Sequence, residues 1–528
     1  MRDEHKPGAP AAAWLVALLM AGAAPAAGAD PGLVSAARNQ DAQQVRALLK
    51  QRVNVNDVNV RADDGSTALL WAAHWSDRVV AELLIRAGAD ANAANDFRAT
   101  PLSEACTNGS ADLVGLLLNA GANPNTPIAT GETPVMTCAG SGSASAVRML
   151  VARGADVNAR EPSQNQTALM WAAAEHHPDV VQALVEHGAD LQARTRKGFT
   201  ALHFAAREGD LESTRALLAA GLNINVRSQP EPAEPAPADS RRTGRTASGA
   251  AAAGGGPRGP AYQATLSAGS TPLLVATVRG HVPLALFMLD HGADPNAGDA
   301  GFTPLHWAAG TWESGPSNPV YGFTDPMSGI PTRQAKLQIV KALLAHGANP
   351  NGRMTRRPPG FVAGYEDAAG ATPFLIASAA ADVEIMRILL AAGADPSLVT
   401  DTHTTPVMAA SGLNRGIGES PITEAQALEA VRLLIELGAD ARGATTNGEN
   451  ALFGAGYRGW NTLLALLIAK GADVNAVSTA SVTPWLAASG YGDRLGGVLY
   501  NKEGADLLLR NGADPKLGKP CQAQNKCR

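Results

Sequence analysis

KGFTALHFAAREGDLESTRALLAAGLNIN, residues 197–225, has the pattern of two short helices bounded by turns. Gly198 supplies the positive φ of a tight turn, and Thr200 is a residue type that caps the start of a helix. Apolar residues recur at helical spacing on both sides of a break at Gly209–Asp210, and Gly221 stands where a left-handed residue ends the second helix. Two helices this short cannot bury their apolar faces alone, so the unit needs copies of itself.

Copies follow along the chain in a regular register. From Gly88 to Gly221 the helix-ending glycine recurs at steps of 33, 33, 34 and 33 residues, mostly in Gly-Ala-Asp or Gly-Ala-Asn triplets. The helix-opening residue recurs with it, and Pro often follows, where its missing N–H costs nothing. The glycines are Gly88, Gly121, Gly154, Gly188, Gly221, Gly292, Gly347, Gly393, Gly438, Gly471 and Gly512, and the openings are Thr67, Thr100, Thr133, Thr167, Thr200, Thr271, Thr303, Thr372, Thr405, Asn450 and Thr483.

TPLHWAA at Thr303, TALHFAA at Thr200 and TPLLVAT at Thr271 resemble the ankyrin repeat, a β-turn and two antiparallel helices with a period of 33 residues. The resemblance covers roughly residues 32–516, and residues 33–56 look like a degenerate first repeat. It implies an all-α ankyrin-repeat solenoid of about twelve helix–turn–helix repeats joined by β-turns or hairpins. It also implies that His203 and His306 support the turn by hydrogen bonding and are not catalytic.

Five departures from the repeat spacing predict insertions. Three lie between the two helices of a repeat, after Thr303, Thr405 and Thr483, and two lie in the turns after Gly221 and Gly347. We expect one continuous solenoid, because the register resumes without a capping repeat. The predicted organisation is a signal peptide (1–29), N-terminal ankyrin repeats (30–226), a flexible Pro/Ala/Gly-rich loop (227–268), C-terminal ankyrin repeats with insertions (269–516) and a Cys-containing tail (517–528).

The N-terminus predicts export. Arg2 and Lys6 precede the apolar run AAAWLVALLMAGAA at residues 11–24, and the small residues Ala27-Gly28-Ala29 offer a cleavage site. The run is short for a transmembrane helix, and an uncleaved anchor is the alternative to a cleaved signal. No later stretch is apolar enough to span a bilayer. Arginine far outnumbers lysine, as in GC-rich bacteria. Together with the predicted signal, this leads us to expect a periplasmic or secreted bacterial protein.

The four cysteines fall into two pairs. Cys106 and Cys138 occupy small apolar positions within repeats, where we expect small buried core residues. Cys521 and Cys527 lie in the tail KPCQAQNKCR, and an exported protein could join them, although the sequence leaves this disulfide open. Zinc takes four ligands and no histidine lies nearby, so metal binding by this pair is disfavoured.

Catalytic motifs are missing from the sequence. It contains no P-loop, no dinucleotide-binding glycine fingerprint after a strand, no G-x-S-x-G elbow and no H-E-x-x-H. The pair His176–His177 lies in a predicted helix–helix turn, where a solvated turn is favoured over a metal site. The formal net charge of −5 gives no case for nucleic acid. We therefore predict a protein that is not an enzyme and needs no cofactor and no metal.

Aromatic and arginine residues gather in the C-terminal insertions, although aromatic residues make up only 4% of the chain. These types are enriched at binding hot spots, and the alternative is that they fold each insertion back onto the solenoid. A second aromatic group, four residues after the opening Thr, is expected to pack in the core: Trp71, Trp171, Phe204 and Trp307. The candidate partner-binding residues are Trp312, Tyr321, Phe323, Arg356, Arg357, Phe361 and Tyr365.

The leading hypothesis is a non-catalytic scaffold of the bacterial envelope, expected to be monomeric. It would bind a protein partner through the concave ankyrin surface and the C-terminal insertions. The alternative is a secreted effector or toxin-associated protein that acts on a host or competitor. An enzyme or redox accessory, with a site built by the insertions, is a third hypothesis that the missing motifs disfavour.

Overall fold

A computed structural model describes residues 32–51, 59–229, 268–310, 332–356, 369–413, 422–490 and 500–518. Within these ranges the chain forms helices and turns with no strand, and one isolated β-bridge joins Arg61 and Thr67. The predicted signal peptide, residues 230–267 of the predicted loop and the tail from residue 519 lie outside the described residues. The all-α class predicted from the sequence is confirmed.

The described helices form twelve antiparallel pairs, numbered here as repeats 1 to 12, in agreement with the predicted repeat number. The pairs are α1 Gly32–Arg38 and α2 Ala42–Lys50; α3 Ala68–His74 and α4 Arg78–Arg86; α5 Pro101–Thr107 and α6 Ala111–Asn119; α7 Pro134–Gly140 and α8 Ala144–Ala152; α9 Ala168–Ala174 and α10 Pro178–Glu186; α11 Ala201–Glu208 and α12 Leu211–Ala219; α13 Pro272–Arg279 and α14 Val282–Asp290; α15 Pro304–Ala309 and α16 Arg333–Ala345; α17 Pro373–Ala379 and α18 Val383–Ala391; α19 Pro406–Ala410 and α20 Glu424–Glu436; α21 Ala451–Arg458 and α22 Asn461–Ala469; α23 Pro484–Ala488 and α24 Lys502–Arg510.

The first helix of most repeats begins as the sequence predicts. Thr67 has an extended backbone, and its hydroxyl oxygen accepts a hydrogen bond from the backbone N–H of Leu70 at 3.2 Å. The same bond is present at Thr271, Thr372, Thr405 and Thr483. These bonds satisfy one of the N–H groups that a helix start leaves without a partner.

Glycine ends the second helices for a conformational reason. Gly221 follows α12 with φ of +93°, and a Cβ placed there would meet nothing within 4 Å. Its left-handed backbone therefore requires glycine, since space alone would admit a larger residue. Gly198, in the turn before α11, has φ of +81°, and a Cβ there would lie 2.1 Å from the backbone of Gln229. That turn needs glycine on both grounds.

Stacking of like helices buries the core within each unit. Each first helix packs on the first helix of the next repeat, and the second helices pair in the same way. Of the aromatic group predicted to be core, Trp71, Phe204 and Trp307 are at most 8% exposed, which confirms the prediction for these three. Trp171 is half-buried. Thin layers of Ala and Leu between such residues complete the stack.

Three insertions lie between the helices of a repeat, as the spacing predicts. The first helix ends at Ala309 in repeat 8, at Ala410 in repeat 10 and at Ala488 in repeat 12. Residues 311–331, 414–421 and 491–499, which follow these ends, lie outside the described residues. The second helices then resume the stack, and those of repeats 8 and 10 are 13 residues long.

The chain divides into two compact units, Met1–Glu234 with repeats 1 to 6 and Pro235–Arg528 with repeats 7 to 12. The boundary falls inside the segment predicted to be a loop. Among the described residues, no helix combines the length and the apolar character needed to cross a membrane.

Cys106 in α5 and Cys138 in α7 form a disulfide, which corrects the prediction that they are simple core residues. Both are fully buried, as expected, and their Cα atoms lie 4.4 Å apart. Cys106 stands six residues after its opening Thr and Cys138 five residues after its own. The same two positions hold alanines at the neighbouring junctions, Ala73 with Ala105 and Ala139 with Ala172. Such small side chains let adjacent first helices approach closely, and here that approach brings two thiols within bonding range.

Candidate protein-binding surface

The turns between repeats form a continuous row along the first unit. The backbone N–H of Asp96 donates to the carbonyl of Asp64 at 3.0 Å, and that of Ala129 donates to the carbonyl of Phe97 at 3.0 Å. Arg196 N–H donates to the Gln164 carbonyl at 2.9 Å in the same manner. We call the surface made by these turns and by the C-terminal ends of the first helices the hairpin face.

An asparagine side chain ties most of these turns to the next repeat, although the turn before repeat 6 has Gln192 at this position. The amide of Asn92 donates to the carbonyl of Gly121 at 2.9 Å, and its oxygen accepts from the backbone N–H of Asn123 at 2.7 Å. This paired bond holds the turn at a set distance from the end of the following second helix. It recurs at Asn59, Asn125, Asn158, Asn296, Asn351 and Asn475.

The turn before repeat 5, which contains the one extra residue of the 34-residue step, is organised by a buried carboxylate. Glu161 is 4% exposed and accepts backbone N–H groups of Ser163, Gln164 and Gln166 at 2.6 to 3.0 Å. Burial alone would raise the pKa of Glu161, but these bonds and the Ser163 hydroxyl lower it below its ordinary value. Burial raises the pKa of Glu132, and the charge of Glu161 adds to that rise.

An aromatic and ionic cluster lies at the first-helix ends of repeats 1 to 3. Trp75 is 43% exposed, and its indole N–H donates to the carbonyl of Arg38 at 3.0 Å. Its ring stacks on that of Trp71, with centroids 6.4 Å apart. His74 Nδ1–H donates to the carboxylate of Glu104 at 3.0 Å. This bond gives a partner to the Glu104 side chain, which is only 2% exposed. The cluster holds Trp75 in place while leaving much of its ring at the surface.

Further along this face, the first-helix ends are tied to the preceding repeat by side chains. Asn108 donates to the carbonyl of His74 at 2.7 Å, and Ser141 donates to that of Cys106 at 2.7 Å. His177 Nε2–H donates to the carbonyl of Gly140 at 3.0 Å, which gives this histidine a positioning role in the turn. In the described part of the chain, no group of three or more His, Cys, Asp or Glu side chains is placed to hold a metal ion.

The hairpin face varies between repeats while the interior repeats itself. Two residues after the opening, Leu69, Leu102 and Leu202 are all at most 1% exposed. At seven and eight residues after the opening, no pair is used twice in the first unit. These pairs are His74–Trp75, Thr107–Asn108, Gly140–Ser141, Ala174–Glu175 and Arg207–Glu208. The scaffold is thus uniform, and its chemistry lies in side chains that differ from repeat to repeat.

The signature histidines have the structural role that the resemblance implied. His203 Nδ1 accepts the backbone N–H of Thr200, and His306 Nδ1 accepts that of Thr303, both at 3.2 Å. His306 Nε2–H also donates to the carbonyl of Gly352 at 2.9 Å. Burial lowers the pKa of His306 to about 4, so the ring is neutral at pH 7. The predicted hydrogen-bonding role is confirmed.

Of the predicted partner-binding residues, only Arg356 lies within the described residues. Its Nε–H donates to the carbonyl of Ala300 at 2.8 Å, and Nη2 donates to that of Ala268 at 3.3 Å. The guanidinium is thus anchored on the solenoid, and its part in binding a partner stays a prediction. Those outside the described residues are Trp312, Tyr321, Phe323, Arg357, Phe361 and Tyr365, together with the candidate disulfide of Cys521 and Cys527.

Two exposed aromatics of the hairpin face were not among the predicted binding residues. Trp75 is 43% exposed and Phe97, at a turn tip, is 38% exposed. Their positions could have signalled this, because both lie in slots that the repeat pattern leaves outside its apolar positions. The aromatic residues that were predicted to bind lie in the insertions instead.

Fold and surface together define a helical repeat scaffold with a variable face. The family model described as "Ankyrin repeats (3 copies)" matches residues 33–128, 76–161 and 135–228, and that described as "Ankyrin repeat" matches residues 268–300, 300–354 and 369–401. These matches cover more than half of the chain, which belongs to the ankyrin-repeat family. Such repeats indicate a protein–protein interaction scaffold, and ankyrin-repeat proteins are typically non-catalytic modules.

A solved structure, that of the human ASB11 ankyrin repeat domain, is 28% identical to this chain over 37% of its length and 86% of that domain. With a TM-score of 0.34, this similarity adds nothing to the fold assignment, which rests on the repeats themselves.

Proposed function

We propose that this chain is an exported bacterial scaffold that binds another protein through its hairpin face and its C-terminal insertions, without catalysis of its own. One observation carries the proposal: the position two residues after the opening is buried and aliphatic throughout the first unit, whereas the side chains at the first-helix ends of the hairpin face differ from repeat to repeat. Stacking requires similar buried residues in successive repeats, but it places no such requirement on the exposed residues. Side chains that differ along one face are what a specific binding surface requires.

The exposed residues of that face are of the types that dominate binding energy. Trp75 and Phe97 present large apolar surfaces, and the contacts of Trp75 with Arg38 and Trp71 restrict its freedom before binding. Aromatic residues that are already ordered lose little entropy when a partner covers them. We therefore place one centre of binding in repeats 1 to 3, in addition to the insertions.

Two observations support an exported location. The N-terminal segment has the composition of a secretory signal. Cys106 and Cys138 form a disulfide, a bond that persists in oxidising compartments and is rare in the cytosol. The periplasm and the outside of the cell meet this condition equally, and cell fractionation distinguishes them. Recovery of the protein from culture supernatant would favour the secreted-effector alternative.

Crosslinking of the full chain in native envelopes, followed by identification of the captured protein, tests the proposal. We expect the double variant Trp75→Ala/Phe97→Ala to lower capture of the main partner by about tenfold or more, since hot-spot truncations cost roughly 2 kcal/mol. The matched control is Val79→Ala/Leu437→Ala, which removes apolar groups that are 51% and 43% exposed outside the hairpin face. Equal capture by both variants would remove the hairpin face from the proposal.

A further inference from the structure

Three arginines occupy the same slot in three consecutive repeats. Arg160, Arg194 and Arg227 each stand six residues after the helix-ending glycine, at Gly154, Gly188 and Gly221. We call these three residues the arginine row. They lie in or next to the turns of the hairpin face, so stacking of the repeats sets the guanidinium groups side by side along that face.

Backbone carbonyls of the following turns hold two members of the row, Arg160 and Arg194, in place. Arg160 Nη1 donates to the carbonyl of Arg194 at 3.3 Å, and Arg194 Nη1 donates to the carbonyl of Arg227 at 2.7 Å. Arg194 Nη1 also donates to the carbonyl of Gly198 at 3.0 Å. A carbonyl dipole orients a guanidinium without neutralising it, and each fork has five N–H donors. These bonds therefore order the Arg160 and Arg194 side chains.

Arg160 and Arg227 are exposed, Arg194 is half-buried, and the row lies in a cationic neighbourhood. The Arg160 side chain is 39% exposed and forms an ion pair with Asp190 at 3.9 Å. Arg227 is exposed, as are Arg196 and Lys197 at the tip of the turn before repeat 6. Five positive charges thus gather at the hairpin face of a chain whose formal net charge is −5. Such a patch attracts an anionic partner over distances of about one Debye length.

We propose that the arginine row binds an extended acidic segment of the partner protein, with one carboxylate for each repeat. Adjacent repeats lie roughly 10 Å apart, the spacing of packed helices. A polyproline II chain advances about 9 Å for every three residues and places every third side chain on one face. A segment with Asp or Glu at every third position therefore meets all three guanidinium groups, each in the bidentate geometry that Arg forms with carboxylates.

A protein segment fits the row better than a nucleic acid. Binding of a duplex needs many phosphate contacts, and this row offers three cations on a chain that is negative as a whole. The chain itself contains EPAE at residues 231–234, which has two carboxylates at the matching spacing, but its next acidic residue, Asp239, falls out of step. A partner segment with three carboxylates in step is the better match.

The test uses the full chain and two labelled peptides of the same composition, EPAEPAE and EEEPAPA, with binding followed by fluorescence anisotropy. We expect the first peptide to bind at least about tenfold more tightly than the second, and its affinity to fall as NaCl rises from about 50 to about 300 mM. The variant Arg160→Gln/Arg194→Gln/Arg227→Gln should lose about tenfold or more of that affinity.

A matched control removes the same charge elsewhere. Arg86, Arg148 and Arg215 lie on second helices with side chains 72%, 46% and 52% exposed, so Arg86→Gln/Arg148→Gln/Arg215→Gln should bind the first peptide as the parent does. If the Gln variant of the row melts at a lower temperature than the parent, its loss of affinity could come from unfolding. The triple Lys variant of the same three positions then decides whether the row binds the peptide. It keeps the charge, and it should bind more weakly than the parent but more tightly than the Gln variant, because it lacks the bidentate fork.

Equal affinity for the two peptides, or undiminished binding by both the Gln and the Lys variants, would overturn the inference. So would tighter binding of a DNA duplex at the same salt, or binding of the first peptide only after deletion of residues 230–239. The inference rests on the proposed function, and the two can fail separately. Capture of an envelope partner that is indifferent to the row leaves the proposed function standing, whereas no captured partner counts against the proposed function itself.

Discussion

At the residue scale, His306 shows how a motif position acquires a titration property from packing. The TPLH resemblance predicts its hydrogen bond to Thr303, and the structure contains it. Full burial next to Gly352 adds what the motif does not state, a pKa lowered to about 4. The unfolded chain binds a proton near pH 6.5, so between pH 6.5 and about 4 it holds more protons than the folded chain.

We therefore expect acid to destabilise the second unit through His306. The contribution of neutral His306 to the free energy of unfolding is complete above pH 6.5 and declines as pH falls towards 4. The free energy of unfolding should fall by about 2 kcal/mol between pH 7 and pH 5. His306→Gln should flatten this decline, because Gln can form the same capping box, as Gln426 does with Thr423 at 2.9 Å, and does not titrate. Urea unfolding midpoints at the two pH values measure the difference.

The control for this experiment is His176→Gln, which removes a histidine that is exposed. Its pH dependence should match that of the parent. The same acid loss in the parent and in His306→Gln would assign the effect to other groups.

At the scale of elements, adjacent first helices lie close because their facing positions are small. Alanine fills these positions at most junctions of the first unit, and Cys106 and Cys138 fill them between repeats 3 and 4. The disulfide is not evident from the sequence, because the two cysteines stand 32 residues apart, one residue short of the repeat period. The residues that face each other on adjacent first helices stand six residues after the opening in one repeat and five residues after it in the next. Only the packed structure shows which of these positions meet.

We expect this disulfide to stabilise the first unit by about 3 to 4 kcal/mol, since it closes a loop of 32 residues in the unfolded chain. Cys106→Ala/Cys138→Ala should lower the urea midpoint under non-reducing conditions and should then be insensitive to reductant. Alanine suits both positions because it fills their counterparts at neighbouring junctions.

The control for the reductant is Cys521→Ala/Cys527→Ala, which leaves the buried pair intact and should respond to reductant as the parent does. Identical midpoints for the parent and the Cys106/Cys138 variant would contradict the expected contribution. Non-reducing digestion and mass spectrometry should recover the two cysteines in one linked peptide pair.

At the scale of the whole molecule, stability is a sum of neighbouring contacts. In each unit, every helix pair packs on the next pair, and the paired asparagine bonds tie adjacent repeats together. A solenoid of this kind tolerates a cut between two repeats better than a cut within one repeat. The boundary between the two compact units, after Glu234, is therefore the natural place to cut.

A fragment of residues 30–234 should fold alone, because it keeps repeats 1 to 6 with all their mutual contacts and the disulfide. Circular dichroism should show helix that melts cooperatively. A matched fragment of residues 30–186 lacks repeat 6 and exposes the apolar face of repeat 5, so it should be less stable by a few kcal/mol, roughly one repeat interface. An unfolded longer fragment, or equal stability of the two, would refute this account.

The sequence by itself determined the repeat number, most helix boundaries and the sites of insertion. These features depend on local causes: Thr67 caps its own helix, Gly221 adopts its left-handed φ, and apolar residues recur within one turn of each other. Tertiary structure decided what depends on contacts across repeats. The disulfide of Cys106, the exposure of Trp75, the burial of His306 and the carbonyl contacts of Arg194 all join or separate residues that lie about a repeat or more apart in the chain. Only stacking brings such residues together, because local periodicity specifies which face a residue occupies and not which neighbour it meets.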